Sequence, residues 1–242
     1  MKKDIPLELQ RLYKEFDKKY KNNKNRLRPI LGGGKFHHPK FLFLFINPTH
    51  LNISSSEEYK GKRRYPFIGV RYFWRLLSQA GFIDKTIIDD IYKNGWQLKD
   101  EMRIEKSLSK HGAYITNLVK TTQKGPENPS KSVIQDSFIL LEKEIKIVNP
   151  KYIIAFGRLV FKALTNKEIK LQRCLNDIKI REYKPYKSKQ IAGKEYNVLP
   201  CYFPIGRGNP KKALRILSYI NKILSKSDFH ISNLKCQKSI EN

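Results

Sequence analysis

The amino-acid sequence predicts an α/β fold with three layers, α-β-α, built around a central, mostly parallel four-stranded sheet. Short runs of large apolar residues are typical of strands that are buried on both faces. Segments with helical spacing lie between these runs, and such alternation favours parallel strands covered by helices. The predicted strands span residues 41–46, 113–117, 152–156 and 196–199.

The chain begins with a predicted helix at residues 7–20, where Leu9, Leu12 and Phe16 recur among lysines on one helical face. A polar loop follows, and we interpret its Gly-Gly-Gly-Lys sequence at residues 32–35 as a turn. This sequence lacks the GxxxxGK[ST] spacing of a phosphate-binding loop, and it precedes a strand rather than a helix.

Further helices are predicted from apolar periodicity and from residues that start or stop helices. Gly81 ends one helix, Ser130 caps another, and Pro210 fits the first turn of the last. These helical segments span residues 70–77, 84–110, 130–148, 157–164 and 210–224. We interpret residues 167–194 as an extended or hairpin excursion.

The composition indicates a polyanionic partner. The 242 residues carry a formal net charge of +27 at pH 7, which is typical of nucleic-acid binding. Aromatic residues, which stack on bases, make up 12% of the chain. A general enrichment in Lys is the alternative explanation for the charge. Cys174, Cys201 and Cys236 form no metal-binding pattern, so we expect no metal and no other cofactor.

We predict one α/β domain at residues 37–225, with an N-terminal helical extension at residues 1–36 and a polar tail at residues 226–242. No stretch approaches the roughly 20 apolar residues of a membrane span. The first residues lack the apolar core of a signal peptide. We therefore expect a monomer that is cytoplasmic, nucleoid-associated and not bound to membranes.

Three loops follow predicted strand ends and should converge at one edge of the sheet, at residues 47–67, 117–128 and 200–209. Asn47 comes directly after the first strand, and the Asn-Pro step ends that strand. An Asn at the carboxyl end of a buried strand can position a water or a substrate amide. An ordinary Asn-Pro turn is the alternative for this residue.

Five short segments, in this order along the chain, carry a resemblance to a known family. They are Ile46-Asn47-Pro48; Pro66-Phe67 with Phe73-Trp74 and Ala80-Gly81-Phe82; Ile115-Thr116-Asn117-Leu118-Val119; Asn149-Pro150 through Gly157; and Val198-Leu199-Pro200. Together they resemble the uracil-DNA glycosylase superfamily and are most similar to its mismatch-specific uracil/thymine-DNA glycosylase branch. The resemblance covers residues 41–224.

The resemblance implies roles around a base pocket. Asn47 positions the attacking water, His50 is a second catalytic candidate, and Ile46 borders the base. Phe67 stacks on the flipped base, and Asn117 pairs with a pyrimidine edge because an amide offers a donor and an acceptor together. Core packing of Phe67, a local turn bond of Asn117 and a plain loop position of His50 are the alternatives.

Other residues are predicted to contact DNA, namely Arg63, Arg64, Lys120, Ile205, Gly206 and Arg207. Ile205 is the candidate wedge for the space left by the flipped nucleotide, and Gly206 permits close backbone approach. Arg207 would contact the opposite strand or a phosphate. Solvated basic loops are the alternative interpretation of these segments.

Two departures from the family pattern bear on the chemistry. Many members have His-Pro-Ser in the last loop, whereas this chain has Phe203-Pro204, so stabilisation of the departing base falls to backbone N–H groups or to His50. Phe45 and Thr49 replace the glycines that flank the Asn-Pro motif, and we expect these bulkier residues to reshape the base pocket.

The sequence therefore predicts a monofunctional DNA glycosylase that flips uracil, or mispaired thymine, out of double- or single-stranded DNA and hydrolyses its N-glycosidic bond. The transition state has a cation-like sugar, so the reaction needs no strong nucleophile. A glycosylase for a modified pyrimidine in foreign (phage) DNA, and a non-catalytic nucleic-acid-binding protein on the same scaffold, are the alternatives.

Overall fold

The structure, a computed structural model, describes residues 5–20, 30–48, 70–121, 128–206 and 208–237. The strands in these ranges are β1 (Gly33–Gly34), β2 (Phe41–Phe45), β3 (Ala113–Asn117), β4 (Tyr152–Phe156), β5 (Tyr186–Lys187) and β6 (Asn197–Cys201). The helices are α1 (Leu7–Tyr20), α2 (Arg71–Gln79), α3 (Lys85–Asn94), α4 (Leu98–Lys110), α5 (Lys131–Val148), α6 (Arg158–Thr165), α7 (Leu171–Lys179) and α8 (Pro210–Gln237).

All of these strands join one sheet in the order β1-β3-β2-β4-β6-β5. The four central strands are parallel, and each two-residue edge strand pairs antiparallel with its neighbour. In register, Phe45 of β2 lies beside Asn117 of β3. The predicted α/β fold class is confirmed, and the four predicted strands are the central parallel ones.

Alternating side chains of the central strands project toward two covering layers. On one face, the ring of Phe45 lies 5.6 Å from the ring of Phe73 in α2. On the other face, Tyr114 donates a hydrogen bond to Glu144 of α5, and α1 packs against α5. Helices on both faces explain why the strands are almost continuously apolar.

Local signals account for several helix ends. The hydroxyl of Ser130 accepts a hydrogen bond from the N–H of Val133, which caps α5 as predicted. Asn149 ends the same helix in the left-handed conformation, at φ 47°. The helical region predicted at residues 84–110 consists of α3 and α4, separated at Gly95 with φ 75°. α1 spans the predicted residues.

The predicted turn at residues 32–35 is wrong, because Gly33 and Gly34 form β1 at the edge of the sheet. A Cβ at Gly34 would lie 2.4 Å from the carbonyl oxygen of Ala113, and φ at Gly34 is +107°. Only glycine therefore allows the chain to approach β3 so closely. β1 belongs to the segment predicted as the N-terminal extension.

Two other predicted segments also differ from the structure. The excursion at residues 167–194 contains α7, whose buried Cys174, Leu175 and Ile178 have helical spacing, before the short strand β5. The last helix does not end at residue 224 but continues to Gln237 into the segment predicted as a polar tail. No Gly or Pro follows Pro210 in this helix, so the sequence contains no strong stop signal.

Within the described ranges, every helix is too short or too polar to span a lipid bilayer. The core between the layers is built from the central strands, which are buried on both faces, and from the apolar stripes of the helices. Buried thiols form part of this core, since Cys174 and Cys201 are both free and fully covered.

Burial raises the pKa of Cys174 from an ordinary value of 9.0 to about 12, with Asp177 as a smaller cause. The folded state then keeps a proton that the unfolded chain releases, so the free energy of unfolding falls as pH rises from 9 to about 12. We expect urea unfolding at a series of pH values to show a slope shallower by up to about 1.4 kcal/mol per pH unit in Cys174→Ala. Parallel slopes in the two proteins would contradict this expectation.

Candidate active site

The carboxyl ends of β2 and β3 meet at one edge of the sheet. The N–H of Leu118 donates to the carbonyl of Phe45 at 2.7 Å, and the N–H of Val119 donates to the carbonyl of Ile46 at 2.9 Å. These bonds extend the parallel pairing beyond the strands and hold the segment after β2 against the segment after β3. β2 also lies between β3 and β4, where the strand order reverses and open α/β sheets bind ligands.

Asn117 is the most informative polar residue at this edge. Its side chain is fully buried at the end of β3, and neither Nδ2 nor Oδ1 has a hydrogen-bond partner among the described residues. Burying a polar group without a partner costs about 1–3 kcal/mol, and nearly all such groups in native proteins are paired. The amide therefore suits a site in which a ligand supplies the missing partners.

Asn47 lies two residues beyond the end of β2 and is half-buried. Its Nδ2 donates to the carbonyl of Pro48 at 3.3 Å. Its Oδ1 has no hydrogen-bond partner among the described residues, and an amide oxygen is an acceptor for a water hydrogen. Ile46, the preceding residue, is half-buried and packs against the apolar core.

An aromatic layer lies beside Asn117 on the same face of the sheet. The ring of Phe45 stacks on Phe156 at 4.2 Å with an interplanar angle of 5°, and it meets the edge of Phe203 at 6.0 Å. The bulk of Phe45, which stands in place of a motif glycine, is thus accommodated in the core. Phe203, which stands where many family members have His, contributes apolar packing rather than a polar group.

Backbone hydrogen bonds join described residues between β6 and α8. The N–H of Gly208 donates to the carbonyl of Ile205 at 3.0 Å, and that of Asn209 to the carbonyl of Phe203 at 2.9 Å. A Cβ at Gly208 would lie 2.0 Å from the oxygen of Phe203, so glycine is required there. Gly206 is exposed at φ +58°, and Ile205 is half-buried against the core.

Lys120 lies inside the protein. Its side chain is 1% exposed, and its Nζ forms an ion pair with Glu144 at 2.5 Å and contacts the hydroxyl of Thr116. Burial lowers the pKa of Lys120, although the charge of Glu144 opposes this shift. The predicted DNA contact of Lys120 does not hold in this structure, because a buried and paired ammonium cannot reach a phosphate.

The ion pair belongs to a buried polar cluster, the Glu144 cluster, which comprises Glu144, Lys120, Thr116, Tyr114 and Tyr13. Tyr114 donates to Glu144 at 2.6 Å and shares a 2.7 Å hydrogen bond with Tyr13 of α1. Burial raises the pKa of Tyr114 well above its ordinary value, and the charge of Glu144 adds to this. Sequence reasoning missed the cluster, although a lone carboxylate on the apolar face of α5 was a usable signal.

The structure thus brings Ile46, Asn47 and Asn117 to one edge of the sheet. Five of the predicted site residues lie outside the described residues and stay predictions: His50, Arg63, Arg64, Phe67 and Arg207. Within the described ranges, no group of three or more His, Cys, Asp or Glu side chains could hold a metal ion.

Residues 31–224 match the family described as the Uracil DNA glycosylase superfamily. The chain belongs to this superfamily. Its members are DNA glycosylases, hydrolases that act on DNA in base excision repair, and the site described above lies within the matched residues. None of the curated proteins matches the chain. The match is to the superfamily as a whole, so the resemblance to the mismatch-specific branch stays a prediction.

Proposed function

We propose that this superfamily member removes uracil, or thymine mispaired with guanine, from DNA by hydrolysis and leaves an abasic site. The buried, unpaired amide of Asn117 is the observation that carries the proposal. Uracil presents the N3–H donor and the O4 acceptor on one edge, which complements Oδ1 and Nδ2 of an Asn. A flipped base would satisfy both atoms and offset the cost of burying them.

The reaction requires little covalent chemistry from the protein. The bond between C1′ of the sugar and the base nitrogen breaks, and its electron pair leaves with the base. The oxygen of a water then bonds to C1′ and releases a proton to solvent or to the departed base. Oδ1 of Asn47 would accept a hydrogen bond from this water and orient it. Because a neutral amide does not take up the proton, we expect modest turnover.

Negative charge on the departing base needs a stabilising donor. Phe203 supplies none, since its ring packs on Phe45. In a uracil anion the charge is delocalised through the ring onto O4. A hydrogen bond from Nδ2 of Asn117 to O4 would therefore strengthen as the bond to the sugar breaks, which gives Asn117 a part in both recognition and rate.

The remaining predicted contacts belong to the proposal. Phe67 would stack on the flipped base, and His50 would assist the chemistry beside Asn47. Ile205 would fill the space that the base leaves, with Gly206 allowing DNA to approach. Arg63 and Arg64 would contact a phosphate or a bulky group on a modified base, and Arg207 would contact the opposite strand or a phosphate. The net charge of +27 supports binding to a polyanion.

The test is base release from end-labelled oligonucleotides, single- and double-stranded, followed by alkali to reveal abasic sites. The substrates carry uracil, thymine opposite guanine, hypoxanthine, and 5-hydroxymethylcytosine with and without a sugar. We expect release of uracil that falls about a hundredfold in Asn47→Ala, because misplacing the attacking water costs about that much, while DNA affinity is unchanged.

Other outcomes of this test would favour the alternatives. Release confined to a modified pyrimidine would keep the chemistry and change the substrate. No release of any of these bases, together with tight and salt-sensitive binding of the oligonucleotides, would contradict the proposal and favour a non-catalytic nucleic-acid-binding protein. The replacement of the motif histidine by Phe203 is the observation that keeps this last alternative open.

A further inference from the structure

A cavity of about 490 Å³ lies at the amino ends of the central strands, at the edge opposite the candidate active site. Lys40 directly precedes β2, Gly112 precedes β3 and Lys151 precedes β4, so the cavity spans the starts of three adjacent strands. A five-residue strand rises about 3.3 Å per residue, which puts this amino-end cavity roughly 16 Å from the active-site edge.

The ionisable residues that line the amino-end cavity are basic, namely Lys35, His38, Lys40, Lys110, His111 and Lys151. None of the described residues lining it is acidic. A second cavity of about 530 Å³ has a mixed lining, in which Glu8 and Glu15 stand beside Arg11, Lys143 and Lys146. A general enrichment in Lys predicts mixed linings like that of the second cavity. The purely basic lining of the amino-end cavity therefore reflects where these particular residues lie in the fold.

Backbone hydrogen bonds fix the segments that carry three of these lysines. The N–H of Lys35 donates to the carbonyl of Ala113 at 2.8 Å, and the N–H of Lys151 donates to the carbonyl of Pro39 at 3.0 Å. The carbonyl of Lys40 accepts from the N–H of Tyr152 at 3.0 Å. The lysines are therefore attached to backbone that is hydrogen-bonded at the strand ends of the sheet.

The carboxylate of Asp84 offsets part of this charge. Oδ1 of Asp84 pairs with Lys110 and with Nε2 of His111, each at 3.0 Å, and these contacts lower the pKa of Asp84. The ammonium of Lys40 donates to the neutral carbonyl of Leu224 at 2.9 Å. Among the described residues, the lining thus contains six basic side chains and no acidic one.

We propose that the amino-end cavity binds the phosphate backbone of a nucleic-acid strand. Lysines act on phosphates as point charges, and a row of them suits successive phosphodiesters. The lysines here approach from three strand ends rather than enclosing a single anion. This contact would add to the DNA contacts at the active-site edge. The proposal does not depend on which base the glycosylase removes.

The first test compares a cavity variant with a charge-matched control in the full chain. Lys35→Gln/Lys151→Gln removes two lysines of the cavity and keeps Lys40, which also bonds to α8. Lys167→Gln/Lys179→Gln removes two exposed lysines that do not line it. Anisotropy of a labelled single-stranded oligonucleotide without uracil is measured over a range of KCl concentrations.

We expect the slope of log Kobs against log [KCl] to fall by about 1.4 in the cavity variant, which is about 0.7 for each lost phosphate contact, and to change little in the control. Uracil release at saturating substrate should be unchanged in both variants. Equal slope changes in the two variants would show that only net charge matters and would overturn the proposal.

A second test uses the unmodified protein and so does not depend on how the variants fold. Lysine acylation is mapped by mass spectrometry with no addition, with a saturating oligonucleotide, and with inorganic phosphate at constant ionic strength. We expect the oligonucleotide to protect Lys35 and Lys151 but not Lys167 or Lys179. Protection by inorganic phosphate alone would indicate a small-anion site, and no protection would indicate no site, and either result would overturn the proposal.

Discussion

Replacing Asn117 with Leu is expected to lower kcat/KM for uracil release about a thousandfold while making the protein more stable. A site built around hydrogen bonds to its substrate loses discrimination and rate when the partner is removed. Leu has nearly the same size but no polar atoms to bury. Because both amide atoms of Asn117 lack partners among the described residues, its removal should raise the free energy of unfolding by about 1–3 kcal/mol.

Urea unfolding and single-turnover base release on the same preparations measure the two effects. Asn221→Leu is the matched control, because Nδ2 of Asn221 donates to the carbonyls of Ala80 and Gly81 at 3.1 and 3.2 Å. That substitution breaks existing bonds, so we expect lower stability with base release retained. An Asn117→Leu variant that is less stable and still active would show that Asn117 has a structural role only.

Asn117→Leu is expected to lower activity and to raise stability, because a binding site must serve both the ligand and the fold of the free protein. A polar group that waits for a ligand is unfavourable in the free protein, and evolution keeps it only where function requires it. Asn117 lies at the carboxyl end of β3, beside Phe45 in the aromatic layer. Its apolar surroundings strengthen any hydrogen bond that a base makes there.

The sequence was sufficient for features that depend on neighbouring residues. The apolar runs of β2 and β4 have strand length and end at turn residues, and Ser130 marks the start of α5. It was insufficient for β1, since Gly33 and Gly34 become a strand only through pairing with β3, some 80 residues later along the chain. α7 is an intermediate case for sequence-based prediction. Its apolar residues have helical spacing, but they stand among many charged residues.

The same distinction applies to the site. Asn47 and Asn117 were predicted from motifs, and their meeting at one edge follows from parallel strands. Lys120 was misassigned because only its position in a polar loop was visible. Its actual partner, Glu144, lies on α5, and no local pattern connects a loop lysine to a carboxylate 24 residues later along the chain.

The ion pair between Lys120 and Glu144 should have a large effect on the free energy of unfolding. Lys120→Met leaves the carboxylate of Glu144 buried without its cation, and we expect a loss of about 3–5 kcal/mol in the free energy of unfolding. Both hydroxyls of Tyr114 and Thr116 donate to Oε1 of Glu144, and Glu144→Gln keeps one oxygen that can accept both bonds. The double variant Lys120→Met/Glu144→Gln should therefore be more stable than the sum of the two single losses predicts.

Lys143→Met is the control, because the ion pair between Lys143 and Glu15 also joins α5 to α1 but is about half exposed on both sides. We expect it to change stability by less than about 1 kcal/mol. Equal effects of Lys120→Met and Lys143→Met, measured by urea unfolding, would show that burial gives the Glu144 cluster no special importance.

The salt dependence of DNA affinity then tests whether Lys120 stabilises the fold through Glu144 or contacts DNA as predicted. A lysine that neutralises a phosphate adds about 0.9 to the salt slope on duplex DNA. We expect the slope of Lys120→Met, measured below its unfolding temperature, to equal that of the unmodified protein. Base release should fall in this variant and recover in part in the double variant, because the Glu144 cluster supports the strand that carries Asn117. A lower salt slope with unchanged stability would instead restore Lys120 as a DNA contact.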